Sequence, residues 1–148
     1  MTVFRPARKD DLPALLALLV DDQLGAERDS TEPDSAYLSA FEAIDADPAH
    51  LLLVADEDGE VVGTLQLSVL PGLARHGALR GQIEAVRVAA GRRGSGLGGE
   101  LMRVAIEEAR ARGCALVQLT TDLRRERARR FYERLGFRHS HAGMKLTF

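Results

Sequence analysis

Between an apolar run of strand character, Ile83 to Val88, and an amphipathic run of helix character, Glu100 to Arg112, stands Arg92-Arg93-Gly94-Ser95-Gly96-Leu97-Gly98-Gly99. Four glycines in six positions let a backbone turn tightly and approach a ligand without Cβ interference, so that amide N–H groups converge on anionic oxygens. A helix opening at the end of such a loop adds unpaired N–H donors and the positive end of its dipole. Arg92 and Arg93 place guanidinium charge beside the cradle. Leu97, Leu101, Met102, Ala105, Ile106 and Ala109 recur at helical spacing and form one stripe, with Gly113 suited to the turn after the last residues. A strand–loop–helix unit holding a phosphate-bearing ligand at its bend is the expectation. It demands an α/β fold.

Three kinds of phosphate loop share this outline. A nucleotide triphosphatase loop ends in Lys followed by Ser or Thr, whereas this one ends Gly98-Gly99-Glu100. The dinucleotide fingerprint G-x-G-x-x-G is met by Gly94, Gly96 and Gly99, with Asp122 near the end of the next strand-like run. That motif follows its strand closely and opens a long alternating domain. Here Ala89 to Arg93 intervene and 26 residues follow Asp122, too few for a second half-sheet.

The third pattern is [Gln/Arg]-x-x-G-x-[Gly/Ala], met by Arg93, Gly96 and Gly98 after a strand. It resembles the acetyl-CoA loop of the GCN5-related N-acetyltransferase (GNAT) superfamily. The resemblance extends to the preceding strand, Ile83-Glu84-Ala85-Val86-Arg87-Val88, and to Ala128-Arg129-Arg130-Phe131-Tyr132-Glu133-Arg134-Leu135-Gly136-Phe137, which is similar to the later A-x-x-F-Y-x-x-x-G-F signature. Phe4-Arg5-Pro6-Ala7 also resembles the family's opening strand. What this implies is one domain over residues 1–148, with a mixed, twisted sheet of about six to seven strands flanked by about four helices. It further implies acetyl-CoA as cosubstrate, held by Val86, Arg87, Val88, Arg93, Gly94, Ser95, Gly96, Leu97, Gly98 and Gly99.

Acetyl transfer to an amine makes demands beyond a cradle. An amine of lysine type is protonated at neutral pH, with a pKa near ~10.4, and attacks a thioester only through its lone pair. Glu84 stands where many members of the resembled family carry a catalytic glutamate, and is expected to be the base. Period-two spacing places it on the face of Val86 and Val88, where it would be buried. Tyr132, in the matched Phe131-Tyr132 pair, is the expected donor to the departing sulfur, while Ala128, Phe131, Tyr132 and Leu135 also form a helical stripe that suits a core. Backbone N–H groups near Val86 are placed to polarise the thioester oxygen if the strand bulges there. Many relatives carry Asn where Arg125 stands, so that role is not transferred. A protein that binds acyl-CoA as a sensor or interaction module, without turnover, is the alternative.

The remaining residues narrow the class. The 148 residues carry a net charge of −2, with 45% hydrophobic and 28% charged residues, which gives no general attraction to nucleic acid or membrane. The lone Cys114 begins an apolar run and reads as a buried hydrophobe, and with no leader or membrane-length segment the expected location is the cytoplasm. His139 and His141 alone make no metal site, so no metal is expected. Strands are expected at 2–7, 51–55, 61–70, 82–88, 115–120 and from Phe137 onward, and helices at 10–20, 37–46, 98–112 and 125–135, with Asp21 to Asp34 polar and 71–81 a loop. In the resembled fold the acceptor enters against the first helices, which makes Arg28, Tyr37, Phe41 and Leu70 to Arg80 candidate lining. Thr120-Thr121-Asp122 and Ser140 to Leu146 resemble a small-molecule branch that includes aminophosphonate-type acetyltransferases. A small-molecule primary amine is the expected acceptor, and a homodimer stays open.

Overall fold

The computed structural model describes residues 1–148. Five strands, β1 (Thr2–Pro6), β2 (His50–Glu57), β3 (Glu60–Leu70), β4 (Leu79–Val88) and β5 (Cys114–Leu119), form one sheet in sequential order. The first four are antiparallel neighbours, and β5 runs parallel to β4. A parallel neighbour requires a crossover, and α5 (Leu97–Ala111) supplies it. Asp58 and Gly59, both at positive φ, close the β2–β3 hairpin.

The faces of the sheet are covered by different helices. On one side Leu97, Leu101, Met102, Ala105 and Ala109 of α5 pack on Leu53, Ala55, Leu65, Leu67 and Ile83, and Phe131 and Tyr132 of α6 (Glu126–Arg134) border that cluster. On the other, α1 (Leu12–Leu19) and α3 (Ser35–Ala46) enclose Ala7, Leu15, Phe41 and Val54. Phe41 is 7% exposed, so it belongs to the core and not to the acceptor lining. Between α1 and α3 the polar stretch folds a short helix, α2 (Gln23–Arg28), that apolar spacing did not reveal. Its start is chemical: the Asp22 side chain accepts from the Gly25 amide at 2.6 Å. A single turn, α4 (Ala74–Gly77), interrupts the loop before β4, with Arg75 and His76 at positive φ.

The α/β architecture is as expected, with five strands where six to seven were anticipated. No strand forms beyond Phe137. Phe137 still packs edge-on against Tyr132, at 5.9 Å between ring centroids, but residues 138–148 are exposed. Met144 and Leu146 are 93% and 82% exposed, and Phe148 is fully so. The alternation of a strand is present there, yet no hairpin turn brings the segment alongside β5, and a strand without a ladder partner has nothing to hold it.

Candidate active site

The pairing of β4 defines the site. β5 accompanies it only from Leu79 to Ile83, while β4 runs on to Val88 without a neighbour on that side. The strands part, and the open edge of β4 forms one wall of a cleft. Two free carbonyls on that edge are capped by arginines: Arg87 Nη1 donates to Val86 O at 3.0 Å and Arg93 Nε to Val88 O at 3.3 Å.

On its other edge β4 is bulged. Gln66 pairs with Glu84 and Thr64 with Arg87, leaving Leu65 opposite two residues, Ala85 and Val86. Ala85 takes φ 53°, a conformation that costs an L-residue about 1–2 kcal/mol. The extra residue shifts the pleat by one position. Val86 and Val88 therefore join the α5 face, while Glu84 and Arg87 share the opposite one. The expected burial of Glu84 beside Val86 and Val88 is overturned: period two holds only along an unbroken strand, and Glu84 is exposed, toward α1 and α2.

The glycine loop makes the floor. Gly96 caps α5 at φ 88°, and the amides of Gly94, Gly96, Leu97, Gly98 and Gly99 donate to no backbone acceptor. These free donors, with open space where a Cβ at Gly94 or Gly96 would stand, fit a pyrophosphate laid on the helix start. The Ser95 hydroxyl turns inward and donates to Arg92 O at 2.5 Å. The flanking arginines are not free charges, since Arg92 pairs with Glu57 at 2.5 Å and Arg93 with Asp21 at 3.1 Å. At Gly98 an added Cβ would stand 3.4 Å from the Phe131 ring and 3.6 Å from Val88. The loop is thus seated directly on α6.

Tyr132 closes the far end. Its ring lies edge-on to Phe131 at 5.1 Å, and burial raises its phenol above the ordinary value, opposed by the charges of Arg87 and Arg125. The hydroxyl consequently holds its proton at neutral pH. Beside it, the Arg87 guanidinium is half-buried and its pKa is lowered, first by burial and then by the charge of Arg125.

Two ion pairs bridge the cleft between segments about a hundred residues apart. Arg125, at the start of α6, binds Asp22, the cap of α2, and Arg28, at the end of α2, binds Asp122 at 2.6 Å. Asp122 also accepts from Arg124, and these arginines hold its carboxyl far below the usual range. Sequence reasoning placed Arg28 near the acceptor but gave Arg125 and Asp22 no role, and no local pattern announces such a pairing. Tyr37 donates to Asp29 at 2.9 Å beside α2, and Cys114, its thiol pushed up by burial, lies away from the cleft on β5. His139 and His141 stay on the exposed C-terminal segment, and no three metal-ligating side chains stand together.

Residues 12–137 match the acetyltransferase (GNAT) family, and the chain belongs to it. Along 132 residues it is 33% identical to the aminoalkylphosphonate N-acetyltransferase of Salmonella typhimurium, covering 89% of this chain and 80% of that one. With the glucosamine 6-phosphate N-acetyltransferase of Trypanosoma brucei brucei it shares 39% identity over 88 residues, 60% of this chain and 58% of the other. A solved structure of a transcriptional regulator from Bacillus halodurans C-125 superposes with a TM-score of 0.97 at 43% identity, both chains covered in full. By fold, loop and kinship this is an N-acetyltransferase that uses acetyl-CoA.

Proposed function

We propose that residues 1–148 form one acetyltransferase domain that passes the acetyl group of acetyl-CoA directly to a small-molecule primary amine, both substrates bound together. The observation that carries this is the parting of β4 from β5 beyond Ile83. It opens a slot with the free amides of the glycine loop at one end and Tyr132 at the other. Arg93 to Gly99 would hold the pyrophosphate, and the exposed backbone of Val86, Arg87 and Val88 would bond the pantetheine arm as a strand bonds its neighbour. Occupation of that edge displaces the arginines that now cap Val86 O and Val88 O.

Each proton then has a carrier. Glu84, exposed on the acceptor side, takes a proton from the incoming ammonium, directly or through water. The freed lone pair attacks the thioester carbonyl, whose oxygen is polarised by N–H groups at the bulge around Val86. Tyr132 gives its proton to the sulfur as the C–S bond breaks, a role suited by a phenol whose pKa burial raises. The small molecules named for the Salmonella and trypanosome relatives support an acceptor of that size.

Thiol release from acetyl-CoA across a panel of amines, peptides included, tests the reading. Release accelerated by small primary amines is expected. Acetyl-CoA binding with no amine accelerating release would favour the non-catalytic sensor. We also propose a homodimer, in which residues 138–148 of each copy supply the missing neighbour to β5 of the other. The unpartnered edge of β5 and the alternating exposure of Met144, Leu146 and Phe148 support it.

A further inference from the structure

Glu84 and Arg87 are opposite charges on one face of one strand, and neither uses the other. Their β3 partners, Gln66 and Thr64, are two residues apart, so the pair stands two places apart in register, about 6.5–7 Å along the strand. Neighbouring opposite charges on a surface ordinarily pair, yet Glu84 makes no ion pair or side-chain hydrogen bond. Arg87 donates only to the carbonyl of Val86, and its Nε is buried with no partner at all. The nearest carboxylate of comparable burial, Asp22, is taken up by Arg125 and the Gly25 amide. A buried guanidinium donor without an acceptor is costly unless something else supplies one.

We propose that the acceptor is a zwitterion, an amine joined by a short chain to an anionic carboxylate or phosphonate-type group that docks on the Arg87 guanidinium while its amine meets Glu84. Nε and a terminal nitrogen of Arg87 offer the parallel two-donor fork that suits such oxyanions. Arg125 lies close enough for its charge to be felt at Arg87, and it faces the same ligand across the cleft. The anion is thereby drawn to the α6 side and the amine to Glu84, below the bulge. This orients the nitrogen toward the open edge of β4, where the thioester lies. The inference rests on the acetyltransfer reading above and adds the substrate's second charge.

Matched acceptors decide it. β-Alanine is compared with β-alaninamide, and 2-aminoethylphosphonate with its diethyl ester, each pair differing by the anionic charge. The wild-type chain is expected to prefer the anionic member by about tenfold or more in kcat/KM, as charge-assisted hydrogen bonds warrant. The stronger pair tells carboxylate from phosphonate. Arg87→Gln should bring the ratio within about threefold, and Arg87→Lys, which keeps the charge without the fork, should restore part of it. Equal use of charged and neutral members by the wild-type chain overturns the proposal. So does an unchanged ratio in Arg87→Gln accompanied by weaker acetyl-CoA binding, which would assign the guanidinium to the cosubstrate. Should no amine be acetylated, the failure belongs to the acetyltransfer reading, and methylphosphonate titration still tests the anion site. The arginine Nε resonance that is missing in Arg87→Gln is expected to shift saturably, and its indifference to methylphosphonate and acetate overturns the site.

Discussion

Gly96 and Gly59 offer a matched pair that separates folding from ligand binding. Both sit at left-handed φ, 88° and 93°, and at both a Cβ would meet nothing within 4 Å. One stands in the glycine loop, the other in the β2–β3 hairpin. Alanine at either position therefore meets the same backbone strain and no clash, a cost of about 1–2 kcal/mol. For a chain of this length that corresponds to roughly 2–4 °C in Tm per kcal/mol. Urea denaturation of Gly59→Ala and Gly96→Ala should give equal losses within error. Acetyl-CoA affinity should separate them. The methyl of Gly96→Ala projects into the space left for the pyrophosphate, and loss of one charged hydrogen bond costs about 1.5–3 kcal/mol, hence a Kd weakened roughly 10–150-fold by calorimetry. Gly59→Ala should bind as the wild-type chain does. Unimpaired binding by Gly96→Ala, or an equal loss in Gly59→Ala, would refute the placement of the pyrophosphate.

Tyr132→Phe keeps the ring packing and should lower kcat by about 10²–10⁴-fold with acetyl-CoA affinity nearly intact, while Glu84→Gln should flatten the acidic limb of the rate profile; losses under roughly threefold in both would reject the proton assignments. Because burial raises the Tyr132 phenol, the alkaline limb due to the donor should begin above about pH 10 and vanish in Tyr132→Phe. Arg5 binds Asp11 at 2.8 Å and Asp56 at 3.0 Å and lowers both carboxyls, so its contribution is complete above the unfolded carboxylate range and is lost as pH falls through the lowered values. Arg5→Leu should move acid unfolding to higher pH, followed by circular dichroism. Deleting residues 139–148 should convert the proposed dimer to monomer in light scattering, and a wild-type chain that is monomeric at micromolar concentration would defeat that reading.

The sequence was most legible where one local signal sufficed. The glycine run, the stripe from Leu97 to Ala109 and the Asp58-Gly59 turn each encode a single geometry, and each formed within a residue or so of expectation. The α2 helix escaped because Asp22 starts it by a cap rather than by apolar spacing. The face of Glu84 was misjudged because periodicity cannot register an inserted residue, and nothing around Ala85 advertises a positive φ. The pairing of Arg125 with Asp22 joins positions 103 residues apart and exists only after the sheet has formed. The tail shows the opposite limit: its alternation is plain, but a strand is a relation between two segments, and the second lies outside this sheet.

Gly98 has no slack around it. Its backbone lies against Phe131, which in turn holds Tyr132 by the edge, so the floor that receives one substrate and the side chain that gives up a proton are consecutive bricks in one wall. A shift of a few tenths of an ångström at the start of α5 is handed on to the phenol. The enzyme's sense of whether its slot is filled is thus mechanical, carried by a single aromatic contact. Any side chain at position 98 would push the proton donor before it ever reached the ligand.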